Sequence, residues 1–415
     1  MLRIPSSGCS PIWACDLSDE QVPKAFDLLS RESRAPHNFL ERFVRVEARA
    51  AGLILGAAAL GVFIASMPFG ADFTHRLETS HLRSIISEVA VTGFFLLVGL
   101  ELRREAAHGA LSGAIARVLA FAAVAGMAVP AAIYLLLTRS PSTPGASSGW
   151  VAVVATDIAV ATAIIAISGG GAKSRTAHLR TLLLTIAIFD DIGAVFALAL
   201  FGSDAPNLLL VTVILAVVAA YAALAKRLHL GGWAVAAVAA AVCILSIQAG
   251  LHPSLAAFAV GCAVPRVKAP GTKEPIDERI ERGWHPWIAG ILLPLFVFVN
   301  TLVPLTLRAG SPAILIAFTA VAILLGKVMG VGGVLLMARK SLKISVGEAI
   351  TLGIAAAAAL TVAIIGVEAT VAGTVNAQPV SIGILLATLI AVVAGITVGR
   401  ATNRKQVSSS TSREL

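Results

Sequence analysis

Charge is scarce in this chain. Only 13% of its 415 residues are Asp, Glu, Lys or Arg, about half the roughly 25% of ordinary soluble domains. That deficit excludes a water-facing globular fold over most of the length. Aromatic residues are few, at 6%. The apolar bulk therefore comes from aliphatic side chains and Ala, and with 36 Gly it suits helices whose backbones approach closely in lipid. Cysteine is scarce too. Cys9, Cys15, Cys243 and Cys262 have no metal-like spacing and two of them lie in apolar runs, so no disulfide framework is expected. The polar first 40 residues lack an uninterrupted apolar stretch before a cleavage site, which argues against a secretory signal.

What is there is hydrophobic: 57% of the chain, with a mean hydropathy of +0.89. A membrane-crossing helix needs about 20 mostly apolar residues. Candidates fall near 51–69, 85–102, 115–137, 150–167, 181–201, 207–225, 231–249, 252–265, 286–305, 313–337, 348–366 and 380–400. The expected fold is an all-α integral membrane protein of about twelve spans. Residues 1–40 read as a polar, partly disordered cytoplasmic extension, 41–401 as the twelve-helix domain and 402–415 as a polar, Ser-rich cytoplasmic tail.

The net charge of +9 is a topology signal rather than a nucleic-acid footprint, because its Lys and Arg sit between apolar runs. Connections after even-numbered spans hold Arg103, Arg104, Arg117, Lys173, Arg175, Arg180, Lys226, Arg227, Arg266, Lys268, Lys273, Arg279, Arg282, Arg339, Lys340 and Lys343. Those after odd-numbered spans hold only Arg76, Arg83, Arg139 and Arg308. By the positive-inside rule, both termini are cytoplasmic.

Four ionisable groups fall where lipid disfavours them. A charge at the bilayer centre costs at least ~2.5–3.5 kcal/mol, so each needs a reason. Asp157 lies roughly 10 Å into the fourth span, and Asp190 and Asp191 about 14 Å into the fifth. Lys327 lies at similar depth in the tenth. Carboxylates suit Na⁺ or Li⁺ as hard oxygen ligands and also accept protons, so competition at one site couples the two fluxes. Adjacent helical residues point about 100° apart: one of Asp190 and Asp191 can face the ion while the other pairs with Lys327. Thr156 adds a hydroxyl beside Asp157. The plainer reading is a structural salt-bridge cluster, but three Asp against one Lys leave an excess of negative charge that calls for a cation or protons.

Glu101, Arg103, Arg104 and Glu105 stand at one cytoplasmic helix end, and Asp277, Glu278, Glu281, Arg282 and His285 at another. Such clusters can sense pH and funnel cations, or be ordinary solvated ends. His252 opens a short span and reads as a structural hydrogen-bonder or a switch. The run SGGGAKSR (168–175) lacks the phosphate-loop spacing and reads as a linker.

Several pieces together resemble the NhaA-type sodium/proton antiporters over about residues 40–400: FFLLVGLELRRE (94–105), ATDIAVA (155–161), LLLTIAIFDDIGAV (182–195), LHPSLAAFAVG (251–261), HPWIAGILLPLFVFVN (285–300) and LLGKVMG (324–330). The resemblance implies inverted repeats with the fourth and eleventh helices interrupted. It implies Asp157 and Asp191 as the sodium and proton carriers, Thr156 in an unwound stretch, and an Asp190–Lys327 pair. Glu101, Arg104, Glu105, Glu281, His285 and His252 match the family's pH-response positions. It further implies electrogenic export of Na⁺ or Li⁺ against H⁺ across a bacterial inner membrane, no cofactor beyond the transported ions, and a lipid bilayer as partner; a homodimer stays open. Composition pulls the other way at one place: residues 353–364 read GIAAAAALTVAI, and Ala favours an unbroken helix. Three other readings compete with this one, the first a non-transporting or sensor homologue altered through the Ala-rich stretch. A sodium-coupled organic-anion symporter would use similar charges. An intramembrane aspartyl protease would use two Asp, but ATD and FDD differ from its expected motifs and Lys327 would have no role.

Overall fold

The computed structural model describes residues 37–414 apart from 109–112, 169–172, 202–206, 229–231, 252, 269–273, 305–306, 308–309 and 372. The N-terminal extension therefore lies almost wholly outside the described residues. In chain order the helices are α1 His37–Ala65, α2 Gly70–Thr79, α3 Leu82–His108, α4 Gly113–Leu137, α5 Trp150–Val154, α6 Ile158–Ser168, α7 Lys173–Phe201 and α8 Leu208–Leu228. They continue with α9 Gly232–Gln248, α10 Pro253–Ala263, α11 Ile276–Asn300, α12 Ile314–Met337, α13 Val346–Ala356, α14 Thr361–Thr370 and α15 Ala377–Glu414. Among the described residues no strand forms; Lys268 and Pro275 make one isolated bridge.

The all-α expectation is met. By length and composition five helices can cross a membrane, α3, α4, α11, α12 and α15, and up to eight if each of three bent pairs is one span. Those pairs are α1 with α2 (109°), α5 with α6 (49°) and α13 with α14 (44°). Several boundaries differ from the sequence reading: α1 begins at His37 instead of 51, α7 at Lys173 instead of 181, and α15 runs on to Glu414 through the stretch read as a tail. Residues 70–79, read as a connection, form α2, turned sharply off α1 and mostly exposed. The ninth helix starts at Ile276, ten residues before the apolar run at 286, because Pro275 precedes an amphipathic turn with Asp277 and Glu278 at its N-terminal end, where acidic side chains are favoured.

Two apolar cores organise the bundle. One joins α4–α7 with α12–α15, built around Leu119, Tyr134, Ile164, Leu182, Ile323 and Leu352. The other joins α3 with α8–α11, around Phe95, Leu100, Tyr221, Val260 and Phe296. Trp150, Phe94 and Ala159 pack against both.

Close crossings depend on missing side chains. On α3 and α10, a Cβ at Gly99 would lie 2.4 Å from the Phe258 carbonyl, and one at Gly261 2.4 Å from the Leu96 carbonyl. On α12, a Cβ at Gly326 would meet the Pro130 backbone at 2.4 Å and one at Gly330 the Ala125 carbonyl at 2.4 Å. Helix α12 thus lies directly on α4, and Lys327 sits between those two contacts. A π turn, Val328–Gly332, follows Lys327 at once; such turns recur at functional positions.

Candidate ion-binding site

Two non-helical stretches meet inside the first core. The earlier one is Ala155–Thr156–Asp157, between α5 and α6. Its local cause is plain: Ala155 is extended, with φ −72° and ψ 156°, and Asp157 caps α6 by accepting the Val160 N–H on Oδ1 at 3.1 Å, as Asp does at helix starts. The later stretch is 357–360, between α13 and α14. Helix α13 itself opens with a capping box, in which Ser345 Oγ accepts the Glu348 N–H and Glu348 Oε2 accepts the Ser345 N–H.

The two stretches are stitched together residue by residue. The Asp157 N–H donates to the Ala358 carbonyl at 2.7 Å. Asp157 Oδ2 accepts the Thr361 N–H at 3.1 Å and the Thr361 hydroxyl at 2.8 Å. The Thr156 hydroxyl donates to the Ala356 carbonyl at 2.9 Å. Asp157 therefore stands at the N-terminal ends of both α6 and α14, where unsatisfied N–H groups favour negative charge.

Lys327, fully buried, supplies the opposite sign. Its ammonium donates to the Val154 carbonyl at 2.5 Å, to Thr156 Oγ1 at 2.9 Å and to Asp190 Oδ2 at 2.8 Å. All three of its donors are engaged, one of them on a carbonyl left over at the end of α5. Asp190 is 2% exposed, and its Oδ1 has no hydrogen-bond partner among the described residues. A desolvated carboxylate oxygen without a donor is the kind of acceptor a proton or a hard cation fills.

Asp157, Thr156, Asp190 and Lys327 are thus gathered into one buried cluster. Asp191 is the next residue of α7, and its side chain lies outside the described residues, as do that of Glu105 and the whole of His252. At the far end of α3, Arg104 contacts Glu281 at 2.5 Å and Glu101 at 3.7 Å, and His285 follows Glu281 one turn later on α11. Arg266 holds Glu278 at 2.7 Å and Asp277 at 3.4 Å. Thr361 is a site residue that the sequence does not mark. A lone hydroxyl in an apolar run carries no signal of its own, and its role depends on which helix crosses it.

The chain and its described fold have counterparts among known proteins. The family model described as "Na+/H+ antiporter 1" matches residues 41–398. The chain is 34% identical over 318 residues to the Na(+)/H(+) antiporter NhaA of Pseudomonas putida (strain GB-1), covering 72% of this chain and 79% of that protein. It is 32% identical over 327 residues to the one of Frankia casuarinae, at 75% and 73% coverage. It is 33% identical over 304 residues to that of Vibrio alginolyticus, at 71% and 77%. Among solved structures, the sodium proton antiporter MjNhaP1 from Methanocaldococcus jannaschii aligns with a TM-score of 0.50 over 86% of this chain and 95% of that one. At 13% identity that likeness concerns the fold alone. With a family match from residue 41 to residue 398, the chain belongs to the Na+/H+ antiporter 1 family.

Proposed function

We propose that this protein is a secondary antiporter that exports Na⁺ or Li⁺ in exchange for H⁺, electrogenically and under pH control, as a multi-pass protein of a bacterial cytoplasmic membrane. In this reading twelve spans cross the bilayer with both termini cytoplasmic. Helices α5 with α6 and α13 with α14 are the discontinuous fourth and eleventh spans, and α7–α10 supply the spans that length and composition alone leave uncounted. The observation that carries it is the buried cluster: Asp157 between two helix N-termini, and a Lys327–Asp190 pair with one carboxylate oxygen left unpartnered.

The chemistry follows from competition. Asp191 and Asp157 hold either a cation or protons, and family membership supports placing the exchange on these two residues. Bound Na⁺ takes over carboxylate oxygens that otherwise accept N–H and O–H donors, and the Thr156 and Thr361 hydroxyl oxygens are hard neutral ligands close by. A proton on Asp190 removes the countercharge of Lys327, so proton load changes what holds α7 to α12. Glu101, Arg104, Glu105, Glu281 and His285 modulate the pH response from the cytoplasmic side, and His252 from the opposite one.

The test is everted membrane vesicles carrying a pH gradient, with a ΔpH-sensitive dye followed as Na⁺, Li⁺ or K⁺ is added at several pH values. Na⁺ or Li⁺ should restore fluorescence, and Asp191→Asn should reduce the response to background in protein shown to be inserted. No response to any cation at any pH would overturn the antiport reading. Normal exchange by Asp191→Asn would overturn the carrier assignment alone.

A further inference from the structure

The break at 357–360 contains only Ala and Leu, and no residue in it has a positive φ. Nothing in its own composition opposes a continuous helix, so something outside must hold it open. Its backbone groups name the holders. The Ala356 carbonyl takes the Thr156 hydroxyl, the Ala358 carbonyl takes the Asp157 N–H, and the Thr361 N–H goes to Asp157 Oδ2. Those partners belong to the ion site. The remaining one does not.

Thr388 lies on α15, 2% exposed. Its hydroxyl donates to the Ala359 carbonyl at 2.8 Å and accepts the Ala359 N–H at 3.3 Å. Threonines inside apolar helices commonly turn the hydroxyl onto the carbonyl four residues back. Thr162, Thr185, Thr319 and Thr351 do so in this protein. Thr388 instead spends both halves of its hydroxyl on a neighbouring segment. The residue it grips is two positions before Thr361, whose N–H and hydroxyl both hold the Asp157 carboxylate.

We propose that Thr388 is a positioning residue of the ion site: by clamping Ala359 it keeps the 357–360 stretch unwound and sets Thr361 against Asp157. This rests on the antiport reading above. Without the clamp, Ala359 is released to rejoin helical pairing, the register of Thr361 shifts, and the site binds its cation less well. Thr388→Val keeps the shape and removes both bonds.

The experiment is the same vesicle assay, titrated with Na⁺ and with Li⁺ and normalised to folded transporter. Thr388→Val should raise the half-saturating concentration on the order of tenfold, the loss of two ordinary hydrogen bonds, and displace the pH profile. Thr388→Ser should stay within about twofold of the parent, since the hydroxyl is retained. A Thr388→Val protein with lowered thermal stability but unchanged half-saturation and pH profile would overturn the proposal and leave Thr388 a packing residue. Where Thr388→Val fails to insert, Thr388→Cys decides, because a thiol is a weak donor and acceptor: an intermediate rise supports the clamp, and parental half-saturation overturns it. A parent protein that responds to no cation overturns the antiport reading and this proposal with it; a responding parent isolates the outcome to Thr388.

Discussion

At the scale of single residues, the site is a set of charges that cancel only when all are present. Lys327 and Asp190 are 0% and 2% exposed, so removing one partner strands the other in a desolvated interior. Lys327→Met should destabilise the purified protein by about 3–5 kcal/mol, the usual effect of breaking a buried pair. Adding Asp190→Asn should recover most of that loss, and thermal unfolding of parent, singles and double measures the coupling. Equal stability for Lys327→Met and the parent would mean the pair is not what holds α7 to α12. These charges were legible in the sequence because an ionisable group inside an apolar run is conspicuous by its cost. Thr361 and Thr388 were not. A hydroxyl can satisfy itself on its own helix, so its partner is decided only by assembly.

At the scale of elements, the position of Lys327 depends on how closely α12 lies on α4. A Cβ at Gly330 would lie 2.4 Å from the Ala125 carbonyl, whereas one at Gly333 meets nothing within 4 Å. Gly330→Ala should therefore lower stability by about 1–3 kcal/mol and depress exchange as Lys327 is drawn off the Val154 carbonyl. Gly333→Ala, which should change neither, is the control for both readouts. Both breaks come from the family resemblance and not from the residues themselves: 150–167 reads as one apolar span, and five consecutive Ala point to a straight helix, a preference that tertiary hydrogen bonds override.

At the scale of the whole molecule, ion pairs tie the two ends of the bundle. Arg83, at the start of α3, contacts Glu368 at the end of α14 at 2.6 Å, Glu78 of α2 at 3.1 Å and Asn300 of α11 at 3.1 Å. At the opposite face Arg175 grips Glu348 through both carboxylate oxygens. Arg83 is a quarter exposed, and pairs of that kind contribute roughly 0.2–1 kcal/mol each. Arg83→Ala should lower the unfolding midpoint slightly, by an amount that shrinks as choline chloride is added; a salt-independent drop would point to packing instead. Charge alternation predicts twelve spans, of which five, or up to eight with the bent pairs, are long and apolar enough among the described residues. The grouping of helices into two cores was not readable, because apolar periodicity does not name its neighbour. One consequence of the glycine-free break reaches back to biosynthesis. The insertion machinery meets residues 346–370 before α15 has been made, as an unremarkable span with no instruction to bend. The kink then forms in two stages: Thr156 and Asp157, already inserted, take its edges, and Thr388 closes on Ala359 only when α15 arrives.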